Sequence, residues 1–349
     1  MCYSCNGRQI VSNRGPARVM GTDDHKSADG RRRLGAARFS LACAAALAAA
    51  KFVVGILSGS LGVLSSAFDS LGDIFMSAVN LVSIRKSLEP ADTSHPYGHG
   101  KVETLATAFQ GAVIGATAIW VIREGIVRLA ARRVPESADA GIAVMAIGVV
   151  ASWYISIRIR RAGEETGSTA LVANSLQFRT DVYSNAGILL SLALFRLTGW
   201  AWLDPGIALV VGLYISKTAA RILFDAIQDL LDRGLPRETV ARVERIIDSH
   251  RPLIVGFHDL RTRRSGSEKH VDFHVVVCRQ FLLEDAHRVA DHIEKEVGHA
   301  LGNARVVTHI DPCEIECPGK DRCDRIVSDI RNLDDPRKDE PRAGGAGPA

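Results

Sequence analysis

Residues 67 to 84 read AFDSLGDIFMSAVNLVSI, and apart from Asp69, Asp73 and Asn80 every residue in that stretch is apolar or small. A carboxylate at the centre of a bilayer-spanning helix costs about 2.5–3.5 kcal/mol even on insertion-based scales, so a segment that keeps two of them points to function rather than anchoring. Asp69 and Asp73 are four residues apart, which sets both on one face of a helix. Outward from this stretch, apolar windows close to the ~20 residues a spanning helix needs recur at about 39 to 62, 63 to 84, 105 to 126, 140 to 157, 170 to 195 and 202 to 226. The expectation is an α-helical membrane domain of six transmembrane helices over residues 35–232, in contact with the lipid bilayer. Gly59, Ser60 and Gly62 mark the first turn, Pro90 and Pro96 the second, Pro135 the third, and Asp204-Pro205 opens the sixth helix.

An even number of spans puts both termini on one side. Arg85, Lys86, Lys101, Arg158, Arg160, Arg161 and the basic N-terminal arm share that side, which the positive-inside rule makes cytoplasmic. Arg128, Arg132 and Arg133 fall on the other, so the orientation rests on the majority of loops. The expected location is the cytoplasmic (inner) membrane, multi-pass. The whole chain of 349 residues has a net charge of +4 and a mean hydropathy of +0.08, averages that hide two solvents. Nothing in it suggests a nucleic-acid surface, because no compact run of Lys and Arg interleaves with aromatics. Residues 1–34 read as a disordered basic arm with no expected signal cleavage site.

After Asp232-Arg233-Gly234 the composition becomes that of a soluble domain, residues 235–315. Pro236 opens an amphipathic helix with Val240, Val243, Ile246 and Ile247 on one face, and strand-like runs follow at about 253 to 262 and 270 to 278. In the second run Val271, Phe273, Val275 and Val277 alternate with His270, Asp272 and His274, the pattern of a half-buried strand. A helix at about 283 to 301 and a strand from Val306 to Ile310 complete an αββαβ order, an α+β sandwich with helices on one face of the sheet. Residues 316–349 read as a disordered tail rich in charge and cysteine.

Gln177, Arg179 and Asp181 lie in the fifth apolar window, with Gln177 and Asp181 again four apart. Two facing pairs, Asp69/Asp73 and Gln177/Asp181, can supply four ligands, and an oxygen-rich set suits a divalent cation. The other reading is helix–helix glue, with Asp181 paired to Arg179 or Lys51. Asp92, His95 and His99 in the second loop form an Asp-x2-His-x3-His set able to hold a metal, or simply a hydrophilic loop. Most of the 11 histidines lie in this loop or after residue 235, among them His258, His270, His274, His287 and His309, the last two residues before Asp311. Cys2/Cys5 and Cys313/Cys317/Cys323 are incomplete zinc sets, and seven cysteines form no disulfide framework. No catalytic nucleophile with an acid–base pair accompanies the metal-type residues, so an enzyme is not expected.

On these residues the chain resembles the cation diffusion facilitator family of metal–proton antiporters, in particular its bacterial ferrous-iron and zinc efflux branch. The carriers are Phe68-Asp69-Ser-Leu-Gly-Asp73, the run from Pro90 through His95 and His99 to Lys101-Val-Glu103, Asp181-Val-Tyr-Ser-Asn185, His258-Asp-Leu-Arg-Thr-Arg263 and His309-Ile-Asp-Pro-Cys313. The resemblance implies a homodimer of six-helix subunits with a cytosolic ferredoxin-like domain, exporting a divalent metal (Zn2+, Fe2+ or Mn2+) against protons. It implies a transport site on Asp69, Asp73, Gln177 and Asp181, and a loop site on Asp92, His95 and His99. It further implies a cytosolic binuclear site, suited to Zn2+, on His258, His274, His287, His309 and Asp311. Lys101 and Asp232 match a charge pair that, in this family, ties the membrane part to the cytosolic domain at the dimer interface. Zinc-transporting relatives usually carry His where this chain has Gln177, and Arg179 has no counterpart. The alternative is a membrane-anchored metal sensor or buffer that uses only the cytosolic histidines.

Overall fold

The computed structural model describes residues 22–58, 61–131, 139–200, 202–251 and 253–313. Six long helices come first: α1 (Thr22–Ser58), α2 (Leu61–Ser87), α3 (Lys101–Ala131), α4 (Asp139–Thr166), α5 (Thr169–Thr198) and α6 (Leu203–Leu230). They pack most closely as the pairs α1/α2, α3/α6 and α4/α5. Their interiors mix apolar clusters, such as Ile84, Ile159, Leu171 and Phe178, with small and polar residues, while large apolar side chains also crowd their outer faces. Ala37, Ala44, Ala48 and Ala67 are buried, and Asn174 donates to Ser40 Oγ (2.6 Å), which lies 3.2 Å from Ser77 Oγ. Leu57 and Leu197 are 83% and 82% exposed, and Ile119, Trp120, Val150 and Val210 also face outward. Large apolar side chains on the outside, with small residues and hydrogen bonds between helices, are what lipid as a solvent favours.

Among the described residues four helices, α1, α2, α3 and α6, are long and apolar enough to cross a membrane. The sequence pattern predicts six. Helices α4 and α5 form at full length, but the first ends in Arg158, Arg160, Arg161, Glu164 and Glu165, and the second carries Asn174, Gln177, Arg179, Asp181 and Asn185. The N-terminal arm also differs from the expectation of disorder to residue 34: α1 is helical from Thr22. The reason lies in Arg33, which is buried against Glu103 of α3 (Nη1–Oε2 3.3 Å), so the last turns of the arm are held by the bundle. The rest of the arm and the tail, with Cys2, Cys5, Cys317 and Cys323, lie outside the described residues.

The C-terminal domain follows as α7 (Arg237–Ser249), β1 (Gly256–Ser265), β2 (Glu268–Val277), α8 (Leu283–Leu301) and β3 (Ala304–Pro312). Strands β1 and β2 pair antiparallel, β2 and β3 parallel, in the order β1-β2-β3. Val243 and Ile247 of α7 and Val289, Ile293 and Val297 of α8 close over Val271, Phe273 and Val275 of β2, forming the core of this domain among the described residues. Helices therefore cover one face of the sheet. The opposite face carries His274 and is the place where polar chemistry can be built.

The domain docks on the bundle through a glycine contact. A Cβ on Gly100, just before α3, would stand 2.5 Å from the Ser265 carbonyl oxygen, and one on Gly266, at φ +60°, 2.6 Å from that of Gly100. Only glycine permits this backbone approach. Lys101 beside it pairs with Asp232 (Nζ–Oδ1 3.0 Å) and donates to the Leu230 carbonyl (3.3 Å), while Arg263 of β1 reaches the same Asp232 oxygen at 3.6 Å. Arg263 also stacks over Tyr97, its guanidinium carbon 5.3 Å from the ring centre.

Candidate metal sites

Helices α2 and α5 bring Asp73, Gln177 and Asp181 near one another. Gln177 Nε2 donates to Asp73 Oδ1 at 3.1 Å, and Gln177 Oε1 is buried without a hydrogen-bond partner. Asp181, one turn further along α5, interacts electrostatically with Asp73, Asp69 and Lys51. Lys51 of α1 donates to Ser70 Oγ at 2.8 Å rather than binding either carboxylate directly. Asp69 is exposed on its helix, and the three carboxylates do not close into one cluster as the histidine sets do. Arg179, two residues from Gln177, turns away to line a small cavity between α5 and α6 with Tyr183, Tyr214 and Thr218. It is therefore not part of this group.

A larger cavity of about 900 Å³ runs between α4/α5 and α6, from the linker at Arg233–Arg237 inward to Ala173 and Leu176, the residue before Gln177. Its wall holds Arg160, Arg221 and Arg264 together with Glu164, Asp225 and Asp229. Two of the acids are engaged, Glu164 by Arg160 (2.6 Å) and Asp225 by Arg233 (3.0 Å). Beside it Glu103, fully buried, accepts from Arg33, from the Ser168 hydroxyl that caps α5, and from Ser87 Oγ of α2 (3.4 Å). One carboxylate thus joins α1, α2, α3 and α5. In the sequence only its position, an acid at the edge of an apolar window, marks Glu103.

In the loop, Asp92, His95 and His99 come together. Asp92 Oδ1 accepts from the backbone N–H groups of Ser94 (2.9 Å) and His95 (2.6 Å) and lies 3.2 Å from His95 Nδ1, while its Oδ2 is 3.4 Å from His99 Nε2. The His95 backbone N–H is the main cause holding the Asp92 carboxyl below its usual range. His99 is buried with Nδ1 unpartnered, and its ring centre is 4.6 Å from that of His95.

In the C-terminal domain the register does what spacing could not specify. His258 of β1 stands opposite His274 of β2, which stands opposite His309 of β3. Asp311 lies in the middle, 2.9 Å from His274 Nδ1, 3.3 Å from His258 Nε2 and 3.3 Å from His309 Nε2. The bond from His274 is the first cause of the lowered pKa of Asp311. Two candidate ligand sets result, His274/His309/Asp311 and His258/Asp259/His274. Asp259 is an addition: regular alternation would point it away from His258, but a bulge between His258 and Arg261 puts it at φ 53° and turns it back. His287, on the exposed side of α8, does not join these sets. His270 does not join them either. It is buried under Tyr97 of the membrane loop (ring centres 6.5 Å apart), and burial followed by Arg263 lowers its pKa.

A family model described as the cation efflux transmembrane domain matches residues 37–231, and one described as the cation efflux cytoplasmic domain matches residues 235–313. The chain is similar to the cation-efflux pump FieF of Shewanella oneidensis, at 35% identity over 80% of this chain and 94% of that protein. It is likewise similar to that of Escherichia fergusonii, at 36% identity over 74% of this chain and 85% of that protein. A solved structure of CzrB in its Zn form shares 33% identity over 24% of this chain and 98% of that chain, with a TM-score of 0.23.

Proposed function

The chain belongs to the cation diffusion facilitator family of cation efflux transporters, which are not enzymes, and from that premise we propose that it exports a divalent transition metal from the cytosol in exchange for protons. The observation that carries this reading is the intramembrane group of Asp73, Asp181 and Gln177, with a buried amide oxygen that no protein donor satisfies. A buried acceptor without a partner costs about 1–3 kcal/mol, and a cation held by that oxygen and the carboxylates would relieve it. Asp69 completes the proposed transport site. The cavity between α4/α5 and α6 supplies its route from the cytosolic side.

Gln177 bears on which metal moves. An amide oxygen is a harder donor than imidazole, so a site of three carboxylates and an amide discriminates less in favour of Zn2+ and admits Mn2+ and Fe2+ more readily. Glutamine does not titrate, which leaves Asp69, Asp73 and Asp181 as the groups that exchange protons for metal. In the proposed arrangement six helices cross the inner membrane over residues 35–232 with both termini in the cytosol. The domain at 235–315, ferredoxin-like in type, binds Zn2+ through the histidine row and pairs two subunits into a homodimer.

The test is transport into vesicles carrying the purified protein, with Zn2+, Mn2+ and Fe2+ tried separately under an imposed pH gradient. Metal movement that follows the gradient supports exchange, and metal movement indifferent to it rejects the proton partner. A sensor or buffer would keep its metal response with Asp69, Asp73 and Asp181 all changed to Asn, whereas an exporter loses transport.

A further inference from the structure

The helix layer of the cytosolic domain holds a third group of metal-type side chains. His250, at the C-terminal cap of α7, faces His292 and Glu296, which lie four residues apart on α8, and one ligand atom from each falls within 4.8 Å of the others. His250 is buried, with Nδ1 2.9 Å from the Ile246 carbonyl oxygen and Nε2 3.2 Å from Glu296 Oε2; its ring centre is 5.3 Å from that of His292.

The hydrogen-bond chemistry restricts what this group can be. A carbonyl oxygen only accepts, so Nδ1 of His250 carries the hydrogen and Nε2 is the atom directed at Glu296. In the neutral imidazole that nitrogen is itself an acceptor, and two acceptors 3.2 Å apart need a cation between them. A proton would serve, but a proton makes no use of His292. A metal ion uses all three. Ligands about 2.0–2.1 Å from a tetrahedral zinc stand roughly 3.3 Å from one another, close to the observed His250–Glu296 separation. The bond from Nδ1 to a backbone carbonyl is the usual outer-shell support that fixes the tautomer of a ligating histidine.

We propose that His250, His292 and Glu296 form a further divalent-cation site, with two imidazole nitrogens and one carboxylate selecting a borderline-soft ion such as Zn2+. It lies on the opposite side of the sheet from the histidine row, and its ligands come from helices rather than strands. Glu296 is half exposed, so the ion enters from solvent and water fills the fourth position. Bound metal pins the end of α7 to α8. Because α7 follows directly on the linker from α6, the site ties metal in the cytosol to the segment through which the two domains are joined.

The experiment uses the full chain in detergent, stripped with chelator, equilibrated with Zn2+ at fixed free concentration, and assayed for bound metal per chain by elemental mass spectrometry. His292→Asn should bind one Zn2+ fewer than the parent protein, and the deficit should persist when His274→Ala has already disabled the histidine row. Glu296→Gln, at a half-exposed position, removes a ligand itself and should weaken the same equivalent by at least the about tenfold that loss of an outer-shell partner costs; it serves as the second variant if His292→Asn elutes as aggregate. Equal metal content in variants and parent would overturn the proposal and leave the group a hydrogen-bonded clamp.

Discussion

At the level of single residues, the proposed transport site depends on what each side chain can donate. Asp73→Ala or Asp181→Ala removes a carboxylate from a dry site where charge compensation counts most. Either variant should still insert and dimerise yet transport nothing, and metal uptake into vesicles near the parental rate would sink the assignment. Gln177→His installs a titrating ligand with an ordinary pKa of ~6.5. Zn2+ should then gain on Mn2+, and transport should acquire an added pH dependence between about pH 6 and 7; identical ion ratios and pH profiles would show that residue 177 is not a ligand. Asp311 tests the histidine row. Its carboxyl is held below the ordinary value of about 3.9, so its contribution to stability is present above that value and is lost as pH falls through the folded pKa. Asp311→Asn should therefore melt slightly earlier than the parent at neutral pH, with the gap closing below about pH 4. A gap unchanged in acid would mean that the bonds to His274, His258 and His309 do not operate in solution.

Between elements, two joints stand out, one of charge and one of backbone. Glu103 and Arg33 are both buried in the bundle. Removing one partner of such a pair leaves the other uncompensated, typically at about 3–5 kcal/mol. Glu103→Gln should accordingly lower the melting temperature of the detergent-solubilised protein and free the start of α1, read as faster hydrogen exchange around residues 28–36. The second joint is Gly100 against the β1–β2 hairpin. Gly100→Ala places a Cβ where the Ser265 carbonyl already stands, so the hairpin must withdraw. Hydrogen exchange at residues 95–101 and 262–269 should rise together, with metal binding at His274 unchanged. Protection that stays as in the parent would show that the docking is looser than this contact requires.

For the whole molecule, the histidine row crosses all three strands, so metal bound there restrains the entire sheet and acts on folding through linkage. Zn2+ should raise the melting temperature of the protein, and His274→Ala, at the centre of the row, should abolish most of that gain. A full-size shift in the variant would place the stabilising metal elsewhere. The loop site and this domain also meet: Tyr97, between His95 and His99, lies under Arg263 of β1 and beside His270 of β2. The loop and the C-terminal domain thus touch through one short segment around Tyr97.

The amino-acid sequence alone determined the class of solvent around each half of the chain, because apolar runs and period-two alternation are local patterns that need no partner. Short spacing also keeps Asp92, His95 and His99 within reach of one another in a single loop, so their contact needed no distant partner. The pairing of α3 with α6, the reach of Arg33 to Glu103 and the alignment of His258, His274 and His309 joined residues far apart in the chain, and only the tertiary structure decided them. The same holds where sequence pattern misled. Alternation placed His270 with the polar histidines, yet the membrane loop covers it; it placed Asp259 away from His258, yet a bulge returns it. Period and spacing fix which way a side chain leaves its own element, but what stands opposite depends on register, bulges and docking, which are settled by the packing of the whole.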